Sequence, residues 1–186
     1  LHNYWLKKNN IKATYDKQKL HDENLSNLIS KIKSKKISGI NVTVPFKKKV
    51  ISYCDKLSPE AEGTQSVNTI YLENDKIIGH NTDIKGFKKS IENLKYNVTG
   101  KTFLILGAGG VVPSIIFALN KMKVSKIVIS NRTKNKAENL KHMFGNVSII
   151  NWGELPNFDV IINATSVGLN SEDELNIDFS KIQNDK

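Results

Sequence analysis

The sequence predicts an α/β protein in two parts, an N-terminal α/β unit with a mixed sheet followed by a doubly wound parallel sheet. Three observations predict it. Up to about residue 97, short alternating strands share the chain with helices that carry one apolar stripe. From Lys101 onward strands and helices alternate regularly. A glycine cluster, Gly107, Gly109 and Gly110, stands between an apolar strand and a helix. At 186 residues, 39% hydrophobic and 25% charged, the chain is long enough for two small cores.

In HDENLSNLISKIKSKK, Leu25, Leu28, Ile29 and Ile32 recur at i, i+3, i+4 and i+7, which predicts a helix packed on a sheet with its lysines outward. In GINVTVPFKKKV, Ile40, Val42 and Val44 alternate with Asn41 and Thr43 until Pro45 ends the strand. One face of that strand is apolar; the other presents an amide and a hydroxyl, either to solvent or to a cleft beside Lys47. SVNTIYLENDKIIGHNTD reads as strand, tight turn at 73–75, and strand. Ile84, Phe87, Ile91 and Leu94 then mark a helix, and NLKYNVTGK breaks the pattern, placing a domain boundary near residue 97.

Beyond the boundary the predicted order is strand TFLIL, helix over 112–122, strand KIVIS, helix over 134–144, strand VSIIN and strand DVIINATSVG. The nineteen uncharged residues 102–120 approach the length of a membrane span, but three glycines and Pro113 in their middle suit a buried strand followed by a helix.

Gly107 permits a tight strand-to-helix turn, and Gly109 lets a pyrophosphate approach amides at the helix start. Val112 stands where a third small residue is usual, and Pro113 suits the first helical turn. By itself the motif Gly107, Ala108, Gly109, Gly110, Val111 serves a nucleotide or a structural turn equally well. The end of the second strand adds more. There an NAD enzyme commonly places a carboxylate for the ribose 2′-hydroxyl, whereas this chain has Asn131, Arg132 and Thr133. Arg132 is the one arginine beside twenty-seven lysines. A planar guanidinium fork can grip a 2′-phosphate and stack on adenine, which points to NADP; the competing reading is a surface arginine. Thr133 supplies a hydroxyl and Lys136 a second charge one turn along, unless that lysine is simply solvated.

The formal charge of +10 is uneven: eighteen bases against ten acids give +8 over residues 1–100, and ten against eight give +2 beyond. The lysines lie mostly on the outer faces of amphipathic segments without arginine-aromatic interleaving, so no nucleic-acid surface is expected. No membrane segment and no metal site are expected either. Cys54 is the single cysteine and no charged-then-apolar leader opens the chain, which favours a cytoplasmic setting. Cys54 itself reads as a small core residue.

NVTVPFK at 41–47, SVNT at 66–69, NTD at 81–83, GAGG at 107–110, NRT at 131–133 and NATSVG at 163–168 occur together in an order that resembles the shikimate dehydrogenase family. The resemblance implies a substrate-binding and catalytic domain over 1–97 and a Rossmann-like NADP-binding domain over 98–186. It implies reversible NADPH-dependent reduction of 3-dehydroshikimate to shikimate, on the route to chorismate and the aromatic amino acids. Matched motif by motif, Lys47 corresponds to the catalytic lysine and Asp83 to its partner carboxylate. Asn41, Thr43 and Asn68 correspond to groups around the ring hydroxyls, and Thr165 and Ser166 lie near the nicotinamide. Chemistry agrees: moving a hydride from a carbinol carbon requires the hydroxyl proton to leave, so a proton carrier must reach that oxygen. Taken singly, Asp83 also suits a helix cap, Lys47 a solvated lysine, Asn68 a satisfied turn, and Thr165 and Ser166 a capped turn.

The family's serine-x-serine pair would precede residue 1, and its further nicotinamide-side segment, substrate-contacting glutamine and returning helix would follow residue 186. Together with the leading leucine, this gives the expectation of a chain truncated at both ends, without the first strand of one domain and the last part of the other. Alternatives are a quinate/shikimate enzyme using NAD, an inactive truncated fragment, or a lysine-rich nucleic-acid or anion-binding protein. The expected partner is a small-molecule substrate, with the chain a monomer or homodimer.

Overall fold

The computed structural model describes residues 1–168 and 173–182. Helix α1 (His2–Lys8) buries none of its residues. After an irregular stretch and a 3-10 turn at Asp22–Asn24 comes helix α2 (Leu25–Lys33), whose four stripe residues are all buried. Strand β1 (Gly39–Asn41), a 3-10 turn at Lys49–Tyr53 and strand β2 (Lys56–Leu57) lead to helix α3 (Pro59–Thr64). Strands β3 (Thr69–Glu73) and β4 (Lys76–His80) and helix α4 (Asp83–Asn93) follow.

The first sheet has the order β1-β3-β4-β2, antiparallel except for the β2–β4 pair, so it is mixed. Its β3–β4 hairpin closes through Asn74 and Asp75, both left-handed at φ 48° and 56°, a two-residue connection whose twist suits the flanking strands. Leu25, Ile29, Ile32, Val50, Val67, Ile70 and Ile77 form the core beneath α2.

Two expectations need correction here. The strand ends at Asn41: Val42 is buried and its N–H donates to the Asn68 carbonyl at 2.7 Å, but Val44 is 68% exposed because the chain has already turned, Phe46 N–H donating to the Thr43 carbonyl. Leu94, grouped with Ile84, Phe87 and Ile91 as marking the helix, is 72% exposed because it lies past the last turn of α4. β2 and α3 went unforeseen, being too short to show a period. Ser58 caps α3 by accepting from Ala61 N–H, and Pro59 occupies the first turn, where it sacrifices no hydrogen bond.

In the second part, strand β5 (Thr102–Leu106), helix α5 (Val112–Lys121), strand β6 (Lys126–Ser130), helix α6 (Lys134–Phe144), strand β7 (Val147–Ile150) and strand β8 (Val160–Asn163) follow in turn. They build an all-parallel sheet of order β7-β6-β5-β8. Thus 102–120, the stretch long enough to imitate a membrane span, is strand, turn and helix; among the described residues no helix is long and apolar enough to cross a membrane. The fold is α/β throughout.

Both faces of the parallel sheet are covered, though differently. α5 and α6 pack on one face with Phe103, Ile105, Ile127 and Ile129, joined by Phe87 and Ile91 of α4. On the other, Leu104, Leu106 and Val128 meet Phe158, Trp152, Leu155 and, from the last described segment, Leu175, Ile177 and Ile182. Among the described residues no α-helix covers that face: the β7–β8 connection is short and interrupted by Gly153 and Pro156, and the last segment contributes only a 3-10 turn at Phe179–Lys181. α5 is wedged between sheet, α3 and α4, and buries Ile115, Ile116 and Leu119, which contribute roughly 1.5–3 kcal/mol each. A Cβ on Gly63 of α3 would lie 2.4 Å from the Phe117 ring of α5, so only glycine permits this approach.

Candidate active site

Lys47, Asn68 and Asp83, far apart in sequence, converge. Lys47 Nζ lies 2.7 Å from Asp83 Oδ2, with their side chains 16% and 26% exposed. The Asn68 side-chain N–H donates to the other Asp83 oxygen at 2.7 Å, and the Asn68 side-chain oxygen Oδ1 accepts from Thr82 N–H at 2.9 Å. Both carboxylate oxygens of Asp83 therefore face side chains rather than helix amides. The capping alternative has no hydrogen bond behind it, and Lys47 is too enclosed for a solvated lysine.

Each group is held by its backbone. Asp83 opens α4, and its N–H donates to the Asn81 carboxamide oxygen at 3.0 Å. Lys47 lies just past the Thr43–Phe46 turn, its carbonyl accepting from Val67 N–H at 2.9 Å. Asn68 enters β3 between the Val42 N–H and the His80 carbonyl.

A polar chain continues outward. Thr69 Oγ1 donates to Asn68, Asn41 donates to Thr69 Oγ1 at 3.1 Å, and the Tyr15 hydroxyl donates to Asn41 at 2.9 Å. Tyr15 escaped sequence reasoning because nothing local distinguishes it in an irregular stretch. Thr43 is exposed beside this row.

The glycine turn follows β5 directly. Gly107 has φ +105°, and a Cβ there would sit 2.9 Å from the Ala164 carbonyl oxygen, so glycine is required by both conformation and contact. Its neighbours Gly109 and Gly110 are exposed, and a Cβ on Gly109 would make an ordinary 3.7 Å contact with the Ala164 carbonyl oxygen; Ala108 is half-buried and Val111 exposed. Among the described residues no acceptor takes a hydrogen bond from the N–H groups of 108–111. Uncovered amides on exposed glycines at a helix start are what a pyrophosphate needs, so these residues fit a dinucleotide.

Asn131, Arg132 and Thr133 lie at the end of β6. The Asn131 amide donates to the Thr133 carbonyl at 2.7 Å and braces the turn into α6, leaving Arg132, Thr133 and Lys136 exposed. The Arg132 guanidinium stands 6.0 Å from the Trp152 ring centroid, a cation–π approach, and both line a cleft of about 340 Å³ with Lys134 and Asn151. The sequence did not single out Trp152; its aromatic ring just past β7 was the available signal.

Beyond β8, Thr165 donates its hydroxyl to Asn163 at 2.7 Å and accepts from Val167 N–H at 3.0 Å, while Ser166 is exposed. The turn reading of Thr165 thus has hydrogen bonds behind it, and Asn163 organises the loop. This loop and the glycine turn flank the β5–β8 junction, where strand order reverses and ligands of open α/β sheets collect. Val44 Cγ2 lies 3.8 Å from a Cβ built on Gly110, which brings the Lys47 segment against the glycine turn. Cys54 takes no part: its thiol donates to the Val50 carbonyl, and burial, aided by Asp55, pushes its pKa up to about 11.

Comparisons with known proteins match these two halves separately. A model of the shikimate dehydrogenase substrate binding domain matches residues 1–70, and one of shikimate / quinate 5-dehydrogenase matches 88–172. The chain is 57% identical to an NADP(+) shikimate dehydrogenase of Pelagibacter ubique over all of its own length and 70% of that protein's. Shikimate dehydrogenase of Aquifex aeolicus superposes with TM-score 0.86 at 38% identity, over 94% of this chain and 66% of that one. The Thermus thermophilus enzyme, solved with NADP(H) and shikimate, gives TM-score 0.81 at 28% identity, over 90% and 63%. The chain therefore spans about two thirds of the length of the proteins it matches.

Proposed function

This chain belongs to the shikimate dehydrogenase family, and from that premise we propose that it is an NADP-dependent oxidoreductase interconverting 3-dehydroshikimate and shikimate. The Lys47–Asp83 pair, braced by Asn68 and set against the glycine turn, carries this reading. Residues 1–97 act as the substrate-binding and catalytic domain and 98–186 as the nucleotide domain.

In the oxidative direction the substrate's carbinol carbon loses a hydride to the nicotinamide, the chemistry the cofactor supplies when bound. The Lys47 amine takes the hydroxyl proton as the carbonyl forms, becoming the ammonium that returns it in the reverse direction. Asp83 orients the Lys47 ammonium and accepts a hydrogen bond from a neighbouring ring hydroxyl. Asn68, Asn41 and Thr43 address the remaining hydroxyls. Amides of 107–111 receive the pyrophosphate, while Arg132, flanked by Asn131, Thr133 and Lys136, holds the 2′-phosphate. Thr165 and Ser166 bound the nicotinamide side. No carboxylate occupies 131–133, which favours NADP over NAD. The same reading makes the chain a cytoplasmic monomer or homodimer with no nucleic-acid partner.

Mixing the protein with shikimate and NADP⁺ and following the absorbance of reduced cofactor tests the reaction. Reduction that outpaces the NAD⁺ reaction supports the proposal. A protein that neither turns over nor binds either ligand overturns it.

A further inference from the structure

Asn81 is completely buried between the two parts of the molecule. Its carboxamide nitrogen lies 2.9 Å from Ser114 Oγ in the first turn of α5, 3.1 Å from Thr64 Oγ1 and 3.0 Å from the Ser66 carbonyl. Its oxygen accepts from Asp83 N–H at 3.0 Å. One planar amide therefore joins the residue that carries the candidate carboxylate to the helix whose start follows the glycine turn. Thr64 is completely buried and Ser114 is 1% exposed, so water does not compete for these bonds.

We propose that Asn81 is a positioning residue that couples nucleotide seating at the start of α5 to the placement of Asp83. This rests on the function proposed above and deepens it. A nucleotide that draws on amides of 108–111 loads the first turn of α5. Ser114 sits in that turn, and Asn81 transmits its position to the backbone of Asp83, two residues along. Rotating the amide to follow Ser114 would pull its oxygen from the Asp83 N–H, so the two ends are set together. Asn81 touches neither ligand; it acts through Asp83.

Fluorescence titration of NADPH with and without saturating shikimate tests this, because the reduced pair cannot react and equilibrium affinities are read directly. The parent is expected to bind NADPH at least about fivefold more tightly with shikimate present, the low end of ordinary coupling between sites. Asn81→Ala should reduce that ratio to below about twofold. Since a fully buried asparagine supports the fold, Ser114→Ala is the second variant. It removes only the α5 end of the link and should lose the ratio while holding NADPH alone within about twofold, and Ser114→Thr, which keeps the hydroxyl, should restore it. A purely structural role would lower the melting temperature and leave the ratio intact, which overturns the proposal. So does a parent that binds both ligands independently. A parent that binds neither ligand fails the function proposed above as well, and the two failures are told apart by that first titration.

Discussion

The Lys47 cluster and the Arg132 loop are built by opposite means. Around Lys47, side chain bonds to side chain: ammonium, carboxylate and carboxamide lie within 2.7 Å contacts, and no member is exposed. Around Arg132 the backbone sets the shape, Asn131 brings its amide back to the Thr133 carbonyl, and the working side chains stand in solvent. A site assembled from mutually bonded side chains is preorganised and loses much when one member goes. A site shaped by backbone keeps its form and loses one contact at a time.

Removing the Lys47 side chain should separate the two regions most sharply. Lys47→Ala is expected to lower kcat by about 10²–10⁴-fold in steady-state assays, with NADPH affinity by titration unchanged. Arg132→Met should weaken NADP by about ten- to a hundredfold, the worth of charge-assisted hydrogen bonds of roughly 1.5–3 kcal/mol, and NAD far less, since only the adenine contact is shared. Equal weakening for both nucleotides would erase the contrast. Gly107→Ala probes the backbone directly. A side chain at φ +105°, pressed on the Ala164 carbonyl, should cost roughly 1–2 kcal/mol, read as a lower denaturant midpoint with an unchanged slope. The smallest effect is expected at Cys54. With its thiol pKa pushed up to about 11, alkylation near neutral pH should be slow in the folded protein and speed up on unfolding. Its raised pKa adds stability below the ordinary thiol value of 9.0 that fades as pH climbs from there toward 11, because the unfolded chain sheds the proton first.

The second half was the more legible. A parallel strand covered on both faces must be apolar throughout, as TFLIL and KIVIS are, and the helix over 134–144 coincides with α6. In the first half, β2 and α3 are shorter than any periodic window, and Val44 continued an alternation that the backbone had already abandoned. The site divides similarly. Lys47, Asn68 and Asp83 were named together through their motifs and stand together in space. Asn81 sat inside a quoted motif without being singled out, because burial between two parts and four simultaneous partners are tertiary facts. Tyr15 and Trp152 lie in irregular connections, where one sequence offers no period to read.

At Gly63 the bare backbone of α3 lets the Phe117 ring of α5 lie where a side chain would otherwise stand, 2.4 Å from a Cβ built there. The two halves thus meet at a position without a side chain, and even a methyl group added to it would act as a wedge between α3 and α5.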